Sequence, residues 1–339
     1  MEPLVSILIP AYNAEQWIAE TIRSALGQSW RHKEIIVVDD GSTDGTLSVA
    51  RQFEPDGVRV VTQSNQGAAV ARNEAFSFSR GDYIQWLDAD DLLSSDKIAH
   101  QMHAAEQAKD KRTLLSCAWA YFRYRPSKAK FVPTPLWCDL DPIEWMTRKW
   151  EGNLHMQPAT WLVSRELTEA AGPWDKRMAV DDDGEYFCRV VTASSGIRFI
   201  SQSKVYYRIT PGSRLSYIGR SDKKIEAQLL SMKLQIGYVR AREESERVRA
   251  ASVKYLQTWL GYFYPSRPDL MHEAQQLAAD LGGWLSLPKA SWKYAWIEKL
   301  FGFAAAQRTG SHYNRVKSSA LGMWDKMMYS FERSRTQPS

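Results

Sequence analysis

Short apolar segments alternate with segments of helical apolar spacing over residues 5 to 91. The apolar segments lie at residues 5–9, 34–39, 58–62 and 83–87, and the helical patterns lie at residues 15–28, 42–53 and 67–79. This β-α-β-α-β-α-β order, at this spacing, predicts a parallel sheet with right-handed crossover connections. The predicted fold class is therefore α/β.

Polar and small residues follow each of the four predicted strands. Because the carboxyl ends of parallel strands meet at one edge of a sheet, these turns are predicted to converge where open α/β sheets bind ligands. The strand at 83–87 runs into Asp88 and Asp90, whose carboxylates suit Mg²⁺ or Mn²⁺ ions that keep positions for substrate phosphates. The same residues are also good turn and helix-cap formers, so the acidic pair alone fits either interpretation.

Four ordered motifs carry a resemblance to a known family. They occupy residues 5–13, 34–46, 65–73 and 86–91. In residue type and order they resemble the nucleotide-binding half of family 2 glycosyltransferases. The resemblance implies a GT-A fold, with a Rossmann-like, mostly parallel nucleotide-binding sheet, followed here by a helical C-terminal region. We expect a catalytic domain at residues 1–215 and the helical region at 216–339.

The same resemblance implies a donor site. Tyr12 would stack on the nucleobase, Asp39 would accept a base N–H, and Arg72 would lie near the base or diphosphate. Asp88 and Asp90 would face the ribose and a metal ion, Mn²⁺ or Mg²⁺. A pyrimidine imide N–H suits Asp39, which favours a UDP-sugar, although dTDP presents the same edge. The predicted donor-binding residues are Pro10, Ala11, Tyr12, Asn13, Asp39, Asn65, Gly67, Arg72, Asp88, Ala89 and Arg208.

A second acidic cluster lies at residues 181–185. Aligned on Arg189, it resembles the Glu-Asp motif of the family and implies that Asp183 is the catalytic base, with Asp182 as the reserve assignment. The chain departs from the common pattern, because Asp182 stands where Glu is usual and Glu185 where Asp is frequent. The alternative interpretation is a solvated helix N-terminus, where the helix dipole favours acids.

Two further segments resemble the family: residues 155–163 resemble its segment leading into an acceptor-side strand, and residues 205–213 resemble its Tyr-Arg-x-His-x-x-Ser region. Residues 155–163 are expected to border the sugar pocket, where His155 either contacts substrate or satisfies a backbone group. In residues 205–213, Thr210 stands where the family often has a histidine, which puts that contact with metal or diphosphate in doubt. Arg208 and Ser213 are expected to compensate by meeting phosphate directly.

The two acid groups match the chemistry of sugar transfer from a nucleoside diphosphate. Negative charge builds on the departing diphosphate and is stabilised by a cation at Asp90, while a carboxylate takes the proton of the attacking hydroxyl. One base without a second nucleophilic carboxylate implies a single displacement with inversion, as does the resemblance.

Two rival functions remain at this level. A sugar nucleotidyltransferase needs a Gly-rich loop bearing Lys or Arg after the first strand, and residues 10–13 supply none. A catalytically silent nucleotide-sugar-binding scaffold of the same fold is the other alternative, and the displaced acids and Thr210 are the only features that favour it.

Composition fits a protein with a sizeable core, because 44% of the 339 residues are hydrophobic. The apolar segment at 5–9 is too short for a signal peptide, and no apolar run approaches the roughly 18 residues that a membrane span needs. The cysteines, Cys117, Cys138 and Cys188, form no disulfide or zinc pattern. We therefore expect a cytoplasmic protein.

The C-terminal third is predicted to be helical. Residues 223–249 are highly charged and predict an exposed helix, while 253–264 and 270–285 predict amphipathic helices. Residues 289–339 hold nine Lys or Arg against three acids, interleaved with aromatic side chains. This mix suits either an anionic membrane surface, peripheral on its inner face, or a helical domain with a basic outer face. Nucleic acid is not an expected partner, whereas a saccharide or lipid-linked saccharide acceptor is.

Overall fold

A computed structural model describes residues 2–108, 110–210, 218 and 221–336 of the chain. The strands are β1 (Val5–Ala11), β2 (Lys33–Asp39), β3 (Val58–Thr62), β4 (Tyr83–Trp86), β5 (Leu92–Leu93), β6 (Thr113–Phe122), β7 (Val163–Ser164) and β8 (Gly196–Arg208). The first four strands confirm the predicted positions to within about two residues.

The principal sheet has the order β3-β2-β1-β4-β7. β1 pairs in parallel with both β2 and β4, β2 pairs in parallel with β3, and only the short β7 is antiparallel. Val5, Ile7, Leu8 and Ile9 of β1 are fully buried, as expected for a central strand covered on both faces. The predicted α/β class and mostly parallel sheet are confirmed.

Twelve α-helices are described. They are α1 (Ile18–Leu26), α2 (Thr46–Arg51), α3 (Ala68–Ser77), α4 (Lys97–Ala108), α5 (Pro142–Glu151), α6 (Arg165–Ala171), α7 (Asp182–Ala193), α8 (Asp222–Arg242), α9 (Glu246–Phe263), α10 (Pro268–Asp280), α11 (Ala295–Phe301) and α12 (Phe303–Thr336). Helices α1 to α3 lie within the segments predicted to be helical, and α3 packs on β1 and β2.

A second, smaller sheet has the order β5-β8-β6. β8 pairs in parallel with β6 and antiparallel with β5. The backbone N–H of Arg208, at the end of β8, donates to Asp91 over 2.8 Å. The second sheet is thereby joined to the loop that follows β4.

The predicted exposed helix at 223–249 is wrong in both extent and exposure. The chain leaves α8 after Arg242, and α9 begins with Ser245 accepting the N–H of Val248. One face of α8 is buried against α7, because its apolar residues recur at helical spacing beneath the charged ones. The buried apolar side chains are Ile225, Leu229, Met232, Ile236 and Val239. The predicted helices at 253–264 and 270–285 correspond to α9 and α10.

No described helix is long and apolar enough to cross a membrane. The expected domain boundary at 215–216 lies on residues outside the described part of the chain, as does Ser213.

Candidate functional site

A cavity of about 780 Å³ opens at the carboxyl edge of the principal sheet. It is lined by the loops after β1, β2, β3 and β4, by the start of α7 and by the end of β8. The predicted site residues that line it are Pro10, Ala11, Tyr12, Asn13, Asn65, Gly67, Arg72, Asp88, Ala89, Asp90, Asp182, Asp183 and Arg208. The structure thus brings together the acid groups that are far apart in sequence.

The loop after β1 is braced by Asn13. Its backbone lies in the left-handed region at φ 49°, which Asn tolerates better than most residues. The Asn13 side-chain oxygen accepts the N–H of Thr43 over 2.8 Å, and its own N–H donates to the Ser42 hydroxyl over 3.0 Å. The neighbouring Tyr12 is 51% exposed at the cavity. Asn13 therefore joins two loops and leaves the Tyr12 ring accessible.

Asp39 lies at the end of β2 and is almost completely buried. Its Oδ2 accepts from the Ser42 N–H over 3.3 Å and the Thr62 hydroxyl over 3.1 Å. Its Oδ1 is buried and has no hydrogen-bond partner among the described residues. Buried carboxylate oxygens are nearly always paired, so this unsatisfied acceptor stands out, although Asp39 is not among the residues that line the cavity.

Asp40 was not predicted as a site residue. It is buried, lines the cavity and accepts from the backbone N–H groups of Gln66 (2.9 Å) and Gly67 (2.8 Å). Gly67 has φ 94°, a backbone conformation that favours glycine. Asp40 therefore shapes the loop before α3, and its place in an Asp-Asp-Gly sequence was the only signal for this role.

Arg72 connects the two acid groups. Its Nη2 donates to Asp88 Oδ1 over 2.9 Å, and its Nη1 donates to Asp182 Oδ2 over 2.5 Å. The guanidinium lies 4.3 Å from the ring centroid of Trp174. Both carboxylates raise the pKa of this buried guanidinium even though burial alone would lower it. Its Nε is buried without a hydrogen-bond partner among the described residues.

The acids of the Asp-x-Asp loop have different environments. Asp88 and Asp90 line the cavity, and the Ala89 carbonyl between them accepts the Thr21 hydroxyl over 2.9 Å. Asp91 is fully buried and accepts from the Gln157 amide and from the backbone of β8. Burial and the charges of Asp90 and Asp88 raise the pKa of Asp91 well above its usual value. Asp91 is therefore a structural residue.

Arg208 contacts the loop that contains Asp88 and Asp90. Its Nε donates to the Asp90 carbonyl over 2.7 Å and its Nη2 pairs with Glu20 over 2.6 Å. Its Nη1 donates to the Arg123 carbonyl over 3.0 Å, and its guanidinium lies between the rings of Trp17 and Phe122. The expectation that Arg208 meets phosphate directly stays a prediction: the residue lines the cavity, and these contacts use three of the five N–H donors of its guanidinium.

The acids before and within α7 are anchored by α8. Asp181 has φ 56°, and its Oδ2 accepts from the Ser231 hydroxyl over 2.6 Å and from the Gln235 amide over 2.8 Å. A Cβ at Gly184 would collide with this carboxylate, so the turn requires glycine there. Burial raises the pKa of Asp181. The α8 contacts thus fix the backbone from which the next two acids project.

Asp182 and Asp183 are neighbours in the chain but have different hydrogen-bond partners. Asp182 is paired with Arg72, whereas Asp183 Oδ1 accepts the backbone N–H of its neighbour Gly184 over 3.0 Å. Burial and the charges of Asp182 and Asp181 raise the pKa of Asp183 to about 7. Glu185 is buried against Arg189 and Tyr238 and does not line the cavity. Asp183 is the carboxyl best suited to exchange a proton near neutral pH.

Other lining residues had weaker sequence signals. Lys224 reaches the cavity from the first turn of α8, within a charged run whose inward members could not be recognised from composition. His155 lines the opposite wall, and its ring lies 5.5 Å from that of Trp119 and 6.1 Å from that of Tyr207. Thr210 also lines the cavity.

The donor set at Asp88 and Asp90 fits a hard divalent cation. Mg²⁺ in particular is held through one or two carboxylates, with waters and substrate phosphates completing its shell. No group of three or more His, Cys, Asp or Glu suited to holding a metal occurs among the described residues. A cation here would thus depend on substrate oxygens in addition to these two side chains.

Residues 6–168 match the family described as Glycosyl transferase family 2. Crystal structures of Staphylococcus aureus TarS residues 1–349 superpose with a TM-score of 0.60 at 17% identity, covering 82% of this chain and 88% of that one. At this identity the likeness concerns the fold.

Among curated relatives, the glycosyltransferase GlyG of Streptococcus pneumoniae is 30% identical over 63% of this chain and 73% of that protein. The putative teichuronic acid biosynthesis glycosyltransferase TuaG of Bacillus subtilis is 40% identical over 36% of this chain. The chain spans less than half the length of TuaG, 47%, and 42% of a Haemophilus influenzae relative. With the family motifs on one cavity and this likeness to GlyG, the chain belongs to glycosyltransferase family 2.

Proposed function

We propose that this chain is an inverting, metal-dependent glycosyltransferase that transfers a sugar from a nucleoside-diphosphate sugar to a hydroxyl acceptor. The observation that carries the proposal is that two acid groups, at Asp88–Asp90 and Asp182–Asp183, line one cavity. Their environments differ, because Arg72 neutralises Asp88 and Asp182 while Asp183 has a pKa of about 7. Such a difference suits the group at Asp88–Asp90 to holding a cation and the group at Asp182–Asp183 to moving a proton.

On the donor side, the unpaired Oδ1 of Asp39 would accept a base N–H, and the exposed Tyr12 ring would stack on the base. A pyrimidine imide provides that N–H, which favours a UDP-sugar and leaves dTDP as the alternative. TarS, which has the same fold, has been crystallised with UDP and with UDP-GlcNAc. These observations support a UDP-sugar donor.

Asp88 and Asp90 would hold Mn²⁺ or Mg²⁺, which when bound offsets charge on the diphosphate. Arg72 keeps these carboxylates in place through Asp88, and its unpaired Nε is available to a phosphate oxygen. Lys224 contributes further positive charge to the cavity wall. The chain's own cations therefore share the stabilisation of the leaving diphosphate.

On the acceptor side, the Asp183 carboxylate would take the proton of the attacking hydroxyl. Arg72 holds Asp182 in an ion pair, which favours Asp183 over its neighbour as the base. With Asp183 as the base and the neighbouring Asp182 held by Arg72, the sugar is transferred in one displacement with inversion. Asp181, anchored by α8, orients this turn.

The acceptor is proposed to be a saccharide or a lipid-linked saccharide in bacterial cell-surface polysaccharide or glycolipid synthesis. The printed name of TuaG, which refers to teichuronic acid biosynthesis, supports this class. We also propose a cytoplasmic location, since Cys117, Cys138 and Cys188 are free thiols. The division into residues 1–215 and 216–339 stays a proposal, with α8 contributing to the catalytic unit.

Thermal stabilisation by nucleotides tests the donor class. UDP and UDP-sugars with Mn²⁺ are expected to raise the melting temperature more than GDP or CMP, because a ligand at about 100 times its Kd adds about 2.7 kcal/mol to the stability. Asp90→Ala should lose the metal-dependent part of the shift. The control is Asp56→Ala, which removes an exposed acid remote from the cavity.

An absent shift with every nucleotide, in folded protein, would contradict the enzyme assignment and favour a silent scaffold. A shift that persists unchanged in Asp90→Ala would instead remove this residue from the metal site.

A further inference from the structure

The long C-terminal helix α12 docks on the catalytic domain through one polar face. Asp325 accepts the Tyr124 N–H over 3.0 Å and pairs with Arg125 over 2.8 Å, while Glu332 pairs with the same arginine over 2.8 Å. About two turns before Asp325, the Ser318 hydroxyl accepts from Arg123 over 2.8 Å. Because these positions recur at helical spacing, they define a single docked face.

The opposite face of α12 carries large apolar side chains. At 3.6 residues per turn, these side chains lie on the side turned away from Ser318 and Asp325. Each is at least half exposed. They are Tyr313 (59%), Val316 (56%), Met323 (68%), Trp324 (55%), Met327 (50%) and Phe331 (60%). We call these six residues the outer face of α12.

The charges around the outer face are of one sign. Lys317 and Lys326 flank it on either side by helical spacing, and both are exposed. Within the described part of the chain, no salt bridge involves either lysine. The acids of α12 are engaged on the docked face by Arg125. The outer face is therefore apolar with a cationic border.

The segment before α12 has the same character. Trp292, Trp296 and Phe301 are 82%, 61% and 69% exposed, and Lys293 and Lys299 lie among them on the surface. Its acid, Glu298, accepts the N–H of Ala290 over 3.0 Å. Tryptophan combined with lysine in this way is typical of side chains at a membrane interface.

We propose that the outer face of α12 binds the surface of an anionic lipid bilayer, with the helix lying in the plane of the interface. Its apolar side chains enter the acyl boundary and the flanking lysines meet lipid phosphates. A second copy of the chain is the less suitable occupant, because two such faces would bring like charges together. This inference does not depend on the proposed transfer reaction.

Vesicle co-sedimentation of the full chain tests the proposal. Wild-type protein is expected to sediment with vesicles of equal parts phosphatidylglycerol and phosphatidylcholine, and not with phosphatidylcholine alone. Binding should fall at high salt. Trp324→Glu combined with Phe331→Glu, and separately Lys317→Glu combined with Lys326→Glu, should each weaken binding by about tenfold or more.

Val132→Glu is the matched control, since Val132 is 68% exposed and lies outside the C-terminal region. It should bind vesicles like the wild type. All of these positions are exposed, although the Trp324 ring also lies 5.4 Å from Arg125, so a loss of binding at an unchanged melting temperature reflects the surface. Equal binding by all variants would overturn the proposal, as would variants that abolish self-association while leaving vesicle binding unchanged.

Discussion

The loop at residues 88–91 and the turn at residues 181–183 place acids on the same cavity in different ways. The first follows β4 directly, and its neighbours in the sheet determine its course. The second is anchored by Ser231 and Gln235, which are 50 and 54 residues away from Asp181 in the chain. Strand order therefore positions the proposed metal-binding side, whereas a tertiary contact positions the proposed base.

The largest effect should come from Asp183→Asn. Removing a general base is expected to slow the reaction by about 10²–10⁴. The acceptor is unidentified, but water can take its place. The measurement is therefore the release of UDP by hydrolysis of a UDP-sugar, with the UDP-induced melting shift measured in parallel. The shift should be unchanged, because the amide keeps the shape of the turn.

Asp182→Asn is the paired control. It weakens the contact with Arg72 on the donor side, so we expect weaker UDP binding and a smaller loss of rate. The reverse pattern, with Asp183→Asn active and Asp182→Asn inactive, would transfer the base role to Asp182.

Ser231→Ala combined with Gln235→Leu tests whether the turn at residues 181–183 depends on α8. Two donors to the buried Asp181 carboxylate are lost, which should cost about 1–3 kcal/mol of unfolding free energy. We expect roughly tenfold slower UDP release with little change in UDP affinity, because only the base side is disturbed. Chemical denaturation and steady-state rates measure the two effects.

Ser252→Ala is the matched variant for this prediction. Ser252 is also buried, but its hydroxyl donates to Val248 within its own helix over 2.7 Å. It should leave the rate unchanged. If it slowed UDP release as much as the double variant, the effect would reflect general loosening of the helices and the comparison between the two acid groups would fail.

The smallest predicted effect is a pH dependence. The pKa of Asp183 is raised from 3.8 to about 7, so between these values the folded state binds this proton more tightly than the unfolded state. Stability should therefore fall as pH rises from about 4 to 7, by roughly 1–2 kcal/mol after allowance for partial exposure. UDP release should rise over the upper part of the same range as the base loses its proton.

Denaturation of wild type and Asp183→Asn at pH 5 and pH 8, two values chosen on either side of the pKa of about 7, isolates this contribution from other titrating groups. The variant should gain stability relative to wild type at the higher pH. A wild-type advantage at the higher pH would show that the Asp183 pKa is lowered instead.

The first four strands and three helices could be predicted because apolar periodicity is a local property of the sequence. The convergence of Tyr12, Arg72 and Asp88 followed from the rule that parallel strands share a carboxyl edge. The roles of Asp40 and Arg208 could not be predicted, because they depend on partners such as Gly67 and Glu20 that only the folded chain brings near.

The choice between Asp182 and Asp183 was beyond the sequence for the same reason. It depends on Arg72, 110 residues earlier in the chain. The exposed helix predicted at 223–249 failed because its dense charges conceal the buried stripe that includes Leu229 and Ile236. Charge density reports the outer face of a helix and says little about the inner one.

The anchoring of Asp181 by α8 has a consequence for engineering by domain exchange. Residues 6–168 match the family. A chimera joined at residue 168 would nevertheless separate the turn at residues 181–183 from the loops that line the same cavity. A junction near 215 would divide Asp181 from Ser231. Residues 243–245, between α8 and α9, offer a crossover point that keeps both acid groups and their support in one transplanted unit.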